Sequence, residues 1–314
     1  MKVAVGASSF AGASDKAIHL LREKGIEVVR NPYGRKLTVE ETIQHLQGAD
    51  GLLAGLELLN EEVLSQAPQL KAIARIGIGM DNVDFEACKR HNIRVSNTPD
   101  APTKAVAEMA LAALLTIGHE IIPCNADMHN GVWKKRIGFS LIDLNVLLIG
   151  YGRIGKEFAD MLRSLGSKIL IYDPYLPEIS ESSLEEALKK ADVVTIHASG
   201  KEEIITAREI ALMKDGVTVM NCARGTLINE EALYDALKNG KIAHYWGDVF
   251  RQEPYEGKLT ECENAILTPH ISTYNSLCRE TMETEAVRNL LRDLGLTDEK
   301  QRIGIGNPCR ERGR

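Results

Sequence analysis

Val146-Leu147-Leu148-Ile149-Gly150-Tyr151-Gly152-Arg153-Ile154-Gly155 carries an apolar run directly into a G-x-G-x-x-G turn. An apolar run of this length, ended by glycine, suits a strand covered on both faces. Phe158, Met161, Leu162 and Leu165 then follow a helical pattern up to Gly166, and a second apolar run, Lys168 to Tyr172, delivers Asp173, 18 residues after Gly155. Each part has a physical job in holding a dinucleotide. Gly150 permits the tight turn, Gly152 lets the backbone approach a pyrophosphate, and Gly155 lets helix and strand pack closely. The helix N-terminus at Arg153 and Ile154 offers unpaired N–H groups and a positive dipole end to phosphates. Asp173 is placed to accept hydrogen bonds from a ribose diol. That favours NAD as the cofactor over NADP, because a carboxylate there repels a 2′-phosphate.

Bulk composition narrows the class. A chain of 314 residues is long for one core and is expected to divide into domains. Its net charge of −6 argues against nucleic acid as the main partner. No apolar run approaches the ~20 residues of a membrane span, and Met1 to Phe10 reads as a first strand, not a leader. A cytoplasmic protein is therefore expected, with neither nucleic acid nor membrane as partner. Cys88, Cys124, Cys222, Cys262, Cys278 and Cys309 show no paired C-x-x-C spacing, so reduced buried thiols are expected and no metal site.

Short apolar strands alternate with amphipathic helices, which predicts βαβ units and mainly parallel sheets. The first set has strands at 2–6, 26–30, 51–54, 71–76 and 93–96, with helices at 15–24, 38–47, 60–66 and 83–90. That is enough for an independent flavodoxin-like domain. The two prolines of Asn97-Thr98-Pro99-Asp100-Ala101-Pro102 break the pattern. A helix over 103–120 follows, apolar on most faces and so expected to be buried on several sides, crossing between domains or lining a subunit interface. A second set has strands at 146–149, 168–172, 192–197, 217–222, 244–249 and 265–268. A helix over 275–295 closes the pattern, and the polar tail after Asp298 is expected to be poorly ordered. The expected fold is α/β, with two Rossmann/flavodoxin-like doubly wound parallel-sheet domains and a cleft between them.

In open α/β sheets, ligands bind beyond the carboxyl ends of the strands. That rule selects His197-Ala198, Cys222-Ala223-Arg224-Gly225, Asp248 with the following segment to Glu253-Pro254, and Thr268-Pro269-His270. Such a set suits hydride transfer to or from a 2-hydroxy acid. Oxidising an alcohol releases a proton besides the hydride, and histidine is the usual acceptor at neutral pH. A carboxylate partner fixes the imidazole tautomer, and an arginine fork fits a substrate carboxylate. Hence His270 is read as acid/base, Glu253 as its partner and Arg224 as the substrate anchor. His197 either caps its strand or touches the cofactor. Cys222 beside Arg224 is open to a nucleophile reading, but no base is paired with it, which favours backbone contact with the cofactor.

At these residues the chain resembles the D-isomer-specific 2-hydroxyacid dehydrogenases, and most closely their phosphoglycerate dehydrogenase-like branch. The matching stretches are Arg75 to Asp84, Asn97-Thr98-Pro99 with Ala105-Val106-Ala107-Glu108, Gly150 to Gly155, Asn221 to Gly225, Gly247 to Phe250 with Glu253-Pro254, and Thr268-Pro269-His270. The resemblance implies an active site of Arg224, Glu253 and His270, the same three residues. It also implies Asp248 on the nicotinamide carboxamide, and Ile78, Ala198, Cys222 and Ala223 near the cofactor. Gly55, Gly77 and Gly79 are assigned with Arg224 to the substrate. Residues 1–98 with 275–314 would form a discontinuous substrate-binding domain and 99–274 the NAD-binding domain, with a homodimer built on the helix 103–120.

The departures bear on substrate more than on reaction. Phosphoglycerate members tend to carry an Arg-Ser pair after the third strand, where this chain has Ala54-Gly55-Leu56-Glu57, which argues against a phosphorylated substrate. Ala198-Ser199-Gly200-Lys201 replaces the usual Pro-Leu-Thr. Effector control like that of longer phosphoglycerate dehydrogenases is not expected. The rival from another class is an NAD(H)-sensing scaffold resembling the C-terminal-binding-protein corepressors, which would bind NADH yet turn over 2-oxo acids negligibly.

Overall fold

The computed structural model describes residues 1–297, so the tail after Asp298 lies outside the described residues. The chain divides into two compact units, one formed by Met1–Pro102 with the chain from Asn275 onward, the other by Thr103–Tyr274.

In the first unit, β1 (Lys2–Val5), α1 (Lys16–Glu23), β2 (Glu27–Arg30), α2 (Val39–His45), β3 (Gly51–Ala54), α3 (Glu61–Leu64), β4 (Ala72–Arg75), α4 (Phe85–Arg90) and β5 (Arg94–Ser96) alternate along the chain. The sheet runs β2-β1-β3-β4-β5 and every pairing is parallel. This is the flavodoxin-like order, with its switch point between β1 and β3. Thr38 and Glu41 form a reciprocal capping box that starts α2, each side chain bonding the other's backbone N–H.

The second unit opens with α5 (Pro102–Gly118) and α6 (Ile121–His129). A β/α series follows: β6 (Asn145–Ile149), α7 (Arg153–Ser164), β7 (Lys168–Tyr172), α8 (Leu184–Lys190), β8 (Val193–Ile196), α9 (Ala207–Leu212), β9 (Val217–Asn221), α10 (Glu230–Asn239), β10 (Ile242–Gly247) and β11 (Ala265–Leu267). The parallel sheet has the order β11-β10-β9-β8-β6-β7, so direction reverses at β6 and the switch point lies between β6 and β8. Every residue of β8 and β9 is buried, as parallel strands covered on both faces require. Finally α11 (Ser276–Asp293) packs against α1, β3, β4 and β5 of the first unit.

The helix expected over 103–120 is α5, ending at Gly118; beyond it Glu120 takes the left-handed conformation at φ 53°, and a second helix that sequence did not mark, α6, departs at 59°. The cause is backbone packing: Phe139 N–H donates to the Gly118 carbonyl at 2.9 Å, and a Cβ on Gly138 would lie 1.8 Å from that oxygen. Most of the apolar surface of α5 is buried inside its own unit, against Val146, Leu148, Phe158 and Trp246. The exposed apolar side chains come after it: Ile121, Ile122 and Met128 on α6, then Val132, Trp133 (80% exposed) and Ile137 (98%). Among the described residues no single helix is long and apolar enough to cross a membrane. The five described cysteines are free thiols; Cys88, Cys262 and Cys278 are buried, while Cys124 and Cys222 are partly so.

Candidate active site

The three fingerprint glycines separate by what a side chain would meet. At Gly150 (φ 94°) a Cβ would lie 2.6 Å from the Ala198 nitrogen, and at Gly155 it would lie 2.4 Å from the Gly150 carbonyl oxygen. Both are therefore fixed by backbone packing at the switch point. A Cβ on Gly152 meets nothing within 4 Å. Gly152 is also the N-cap of α7 and supplies no side-chain cap, so the first N–H groups of α7 face open space. That is the cradle a pyrophosphate needs, and the residues present fit a dinucleotide. Asp173, just past β7, accepts from the backbone N–H of Tyr151 at 2.8 Å and of Tyr175 at 3.0 Å. Each oxygen keeps acceptor capacity for a diol.

Beneath this turn, His197 follows β8. One imidazole nitrogen lies 3.0 Å from Thr195 Oγ1, the other 3.6 Å from Cys222 Sγ, and the ring packs on Phe158. Burial pushes the imidazole down to about 4, so it is neutral at physiological pH, and pushes the Cys222 thiol up to about 12, with the Asp248 charge adding to the effect. A thiol held protonated is no nucleophile, which closes that reading of Cys222. His197 refuses a proton in the folded state but takes one near 6.5 when unfolded, so stability from this group is complete above that pH and drains away as pH falls towards 4. The loss should reach on the order of 3 kcal/mol. We predict that denaturant midpoints measured at pH 7 and 4.5 fall more for the wild type than for His197→Gln. Equal falls would remove this account of the buried ring.

Arg224 follows β9 in extended conformation. Its carbonyl accepts from Asn221 Nδ2 at 2.9 Å and its guanidinium donates to the Ala223 carbonyl at 2.7 Å. Gly225 brings the next loop close, since a Cβ there would lie 2.0 Å from the Phe250 carbonyl carbon. That loop carries Glu253, whose Oε2 lies 2.9 Å from His270 Nδ1 while Oε1 accepts from Phe250 N–H at 3.0 Å. An ionised carboxylate only accepts, so the contact assigns the proton to Nδ1 and leaves Nε2 as the ring nitrogen that Glu253 does not hold. Both side chains remain partly open, 42% for His270 and 32% for Glu253.

Asp248 explains how His270 is held. Its carboxylate is almost fully buried and takes four donors from one segment: Thr268 Oγ1 at 2.6 Å, Ile271 N–H at 2.9 Å, Ser272 N–H at 2.9 Å and the Ser272 hydroxyl at 2.5 Å. Between these anchors His270 sits at φ 55°, a left-handed conformation that costs a non-glycine residue on the order of 1 kcal/mol. The clamp offsets that cost and fixes the ring's direction. Thr268 lies in the Thr268-Pro269-His270 stretch without anything there to mark it as a clamp, and Ser272 lies outside every motif.

In the first unit, Gly55, Gly77, Ile78 and Gly79 lie just beyond β3 and β4. Gly77 (φ 136°) donates to Thr98 Oγ1 at 2.8 Å and Asn97 Nδ2 donates to the Ile78 carbonyl at 2.8 Å, so the Asn97-Thr98 pair pins this loop. The Arg75 guanidinium covers Gly77, where a Cβ would coincide with it. Sequence reading passed over Glu57, which is fully buried, accepts from Gly55 N–H at 3.0 Å, and has its carboxyl raised by that burial.

Comparison with known proteins agrees with this architecture. Residues 111–272 match the model of the D-isomer specific 2-hydroxyacid dehydrogenase NAD binding domain. The chain is 36% identical over 298 residues to a D-3-phosphoglycerate dehydrogenase of Methanocaldococcus jannaschii, covering 88% of this chain but 56% of that protein. It is 35% identical over 298 residues to a glyoxylate reductase of Thermococcus gammatolerans, covering 88% of this chain and 89% of the relative. A crystal structure of a Thermus thermophilus protein superposes with a TM-score of 0.85 at 34% identity, covering 94% of this chain and 97% of that one.

Proposed function

Because the chain belongs to the D-isomer-specific 2-hydroxyacid dehydrogenase family, we propose that it interconverts a small 2-hydroxy acid and its 2-oxo acid with NAD(H). The observation that carries the reading is the His270–Glu253 contact at 2.9 Å, seated on the loop that Asp248 clamps. Gly150, Gly152, Arg153, Ile154, Gly155 and Asp173 would hold the cofactor, with Ala198, Cys222 and Ala223 contributing backbone and His197 supporting the turn from below. When bound, the nicotinamide supplies or accepts the hydride. His270 Nε2 gives a proton to the carbonyl oxygen of a 2-oxo acid, or takes it from the hydroxyl in the reverse direction. Glu253 keeps Nδ1 protonated throughout and faces the positive charge the ring carries in its acid form. Arg224 grips the substrate carboxylate as a bidentate donor, and Asp248 acts through the segment it holds.

The substrate reading favours a small, unphosphorylated acid. The Gly55 N–H is already taken by Glu57, and no arginine stands after β3. The test is NADH oxidation against glyoxylate, hydroxypyruvate, pyruvate, 2-oxoglutarate and phosphohydroxypyruvate. We expect turnover of the first three to exceed that of the phosphorylated acid. NADH binding without turnover of any would point to a nucleotide-sensing scaffold. Asp173→Ala should lower the NADH-to-NADPH ratio of kcat/KM by about tenfold or more, and an unchanged ratio would take Asp173 off the ribose. A homodimer belongs to the same proposal, supported by the exposed apolar run from Ile121 to Ile137. Light scattering that returns a single 34.6 kDa chain would reject it. A cytoplasmic location is consistent with the free thiols, and disulfides in protein from intact cells would reject it.

A further inference from the structure

The loop from Val249 to Lys258 carries Glu253, yet it is stapled to the rest of its unit at a residue with no part in the chemistry. Tyr255 donates its hydroxyl proton to Glu230 Oε1 at 2.8 Å and accepts from Leu259 N–H at 3.2 Å. Its ring stacks on Phe250, centroids 4.2 Å apart and planes 23° from parallel. Phe250 N–H in turn donates to Glu253 Oε1 at 3.0 Å, and Oε2 holds His270. Glu230 is the first residue of α10, whose N-cap Asn229 is tied to Glu203, which pairs with Arg251 of the same loop. Gly257 leaves room for the phenol, for a Cβ there would lie 2.3 Å from its oxygen.

We propose that Tyr255 is a positioning residue that fixes Glu253, and through it the tautomer and aim of His270, by anchoring the loop on the start of α10. The proposal rests on the function given above and extends it to a residue outside the reacting set. A carboxylate on an otherwise exposed loop has many rotamers, and locking one needs the loop backbone held, because Glu253 Oε1 is oriented by a backbone N–H of that loop. The phenol suits the task. Burial above all raises it to about 12, so it stays a donor across the working pH range.

Tyr255→Leu removes the stack and both hydrogen bonds, Tyr255→Phe keeps the stack, and Glu230→Ala removes the acceptor without touching the loop. Tyr255→Leu should lower kcat by about tenfold or more, with NADH affinity unchanged. Tyr255→Phe and Glu230→Ala should fall between it and the wild type. In a Glu253→Ala background, which removes the contact itself, Tyr255→Leu should cost no more than about twofold further, because the two act through that one contact. A second readout is independent of turnover: the His270 Nδ1–H proton resonance, identified by its loss in His270→Ala, should exchange with solvent faster in Tyr255→Leu and in Glu230→Ala. Independent, multiplicative losses in the double variant, or an unchanged resonance in both, would overturn the proposal. A resonance that responds in a protein inactive on every 2-oxo acid would instead reject the function while leaving the positioning role in place.

Discussion

His270→Ala should reduce kcat by about 10²- to 10⁴-fold and leave NADH affinity where it was. The size follows from what the side chain is asked to do. Reduction of a 2-oxo acid places negative charge on an oxygen that must gain a proton, and His270 Nε2, the ring nitrogen not held by Glu253, is the group proposed to give it. The selectivity for kcat follows from position. The loop bearing His270 is clamped at Asp248 by Thr268, Ile271 and Ser272, none of which the substitution touches. The cofactor cradle is built at the ends of β6 and β7 instead. Glu253→Gln should be milder, since a glutamine oxygen can still accept from Nδ1–H and only the charge opposite the protonated ring is lost. The check is steady-state NADH oxidation with each variant beside NADH binding by fluorescence. A His270→Ala enzyme that keeps more than about a tenth of its turnover would exclude this residue as the proton donor.

What sequence could and could not supply divides along the range of the interaction. β8 and β9 were legible because a parallel strand covered on both faces must be apolar along its whole length, and Val193–Ile196 and Val217–Asn221 nearly are. Their ends then marked His197 and Arg224, and the ends of β10 and β11 marked the segments holding Glu253 and His270. Local chemistry also revealed Gly150, Gly152 and Gly155. Interactions between residues far apart in the chain were hidden. The break after Gly118 depends on the Gly138–Phe139 backbone, some twenty residues on. A close look at Pro123, which is tolerated only in a first turn, would have signalled a new helix there. For Asp248 the resemblance implied a cofactor contact, and its four donors from 268–272, which hold the loop behind His270, could not be seen in sequence. Glu57 stood in the sequence only as part of Ala54-Gly55-Leu56-Glu57, with nothing local to show that it is buried. The state of Cys222 was undecidable without its surroundings, since burial, with the Asp248 charge beside it, sets its thiol so high.

Gly152→Val should weaken NADH binding by about 100-fold or more without destabilising the fold. Gly150 and Gly155 show why this glycine is the informative one. A side chain at either strikes backbone, at 2.6 Å from the Ala198 nitrogen or 2.4 Å from the Gly150 oxygen, and Gly150 also holds φ at 94°. Valine there would damage the switch point, and lost binding would say nothing about the ligand. At Gly152 the backbone is extended, at φ −73° and ψ −164°, which valine adopts readily, and its Cβ would point into open space. The melting temperature should therefore stay within about 2 °C of the wild type. Open space before a helix N-terminus is what an anion would occupy, and the side chain would keep a pyrophosphate from the α7 N–H groups. Losing two hydrogen bonds to a charged group costs about 3–6 kcal/mol, enough for the expected fall in affinity. Residual turnover at saturating NADH would then still depend on His270, because the variant alters where the cofactor is held and leaves the proton donor in place. Unchanged NADH affinity in a folded Gly152→Val protein would mean that no phosphate rests on this turn.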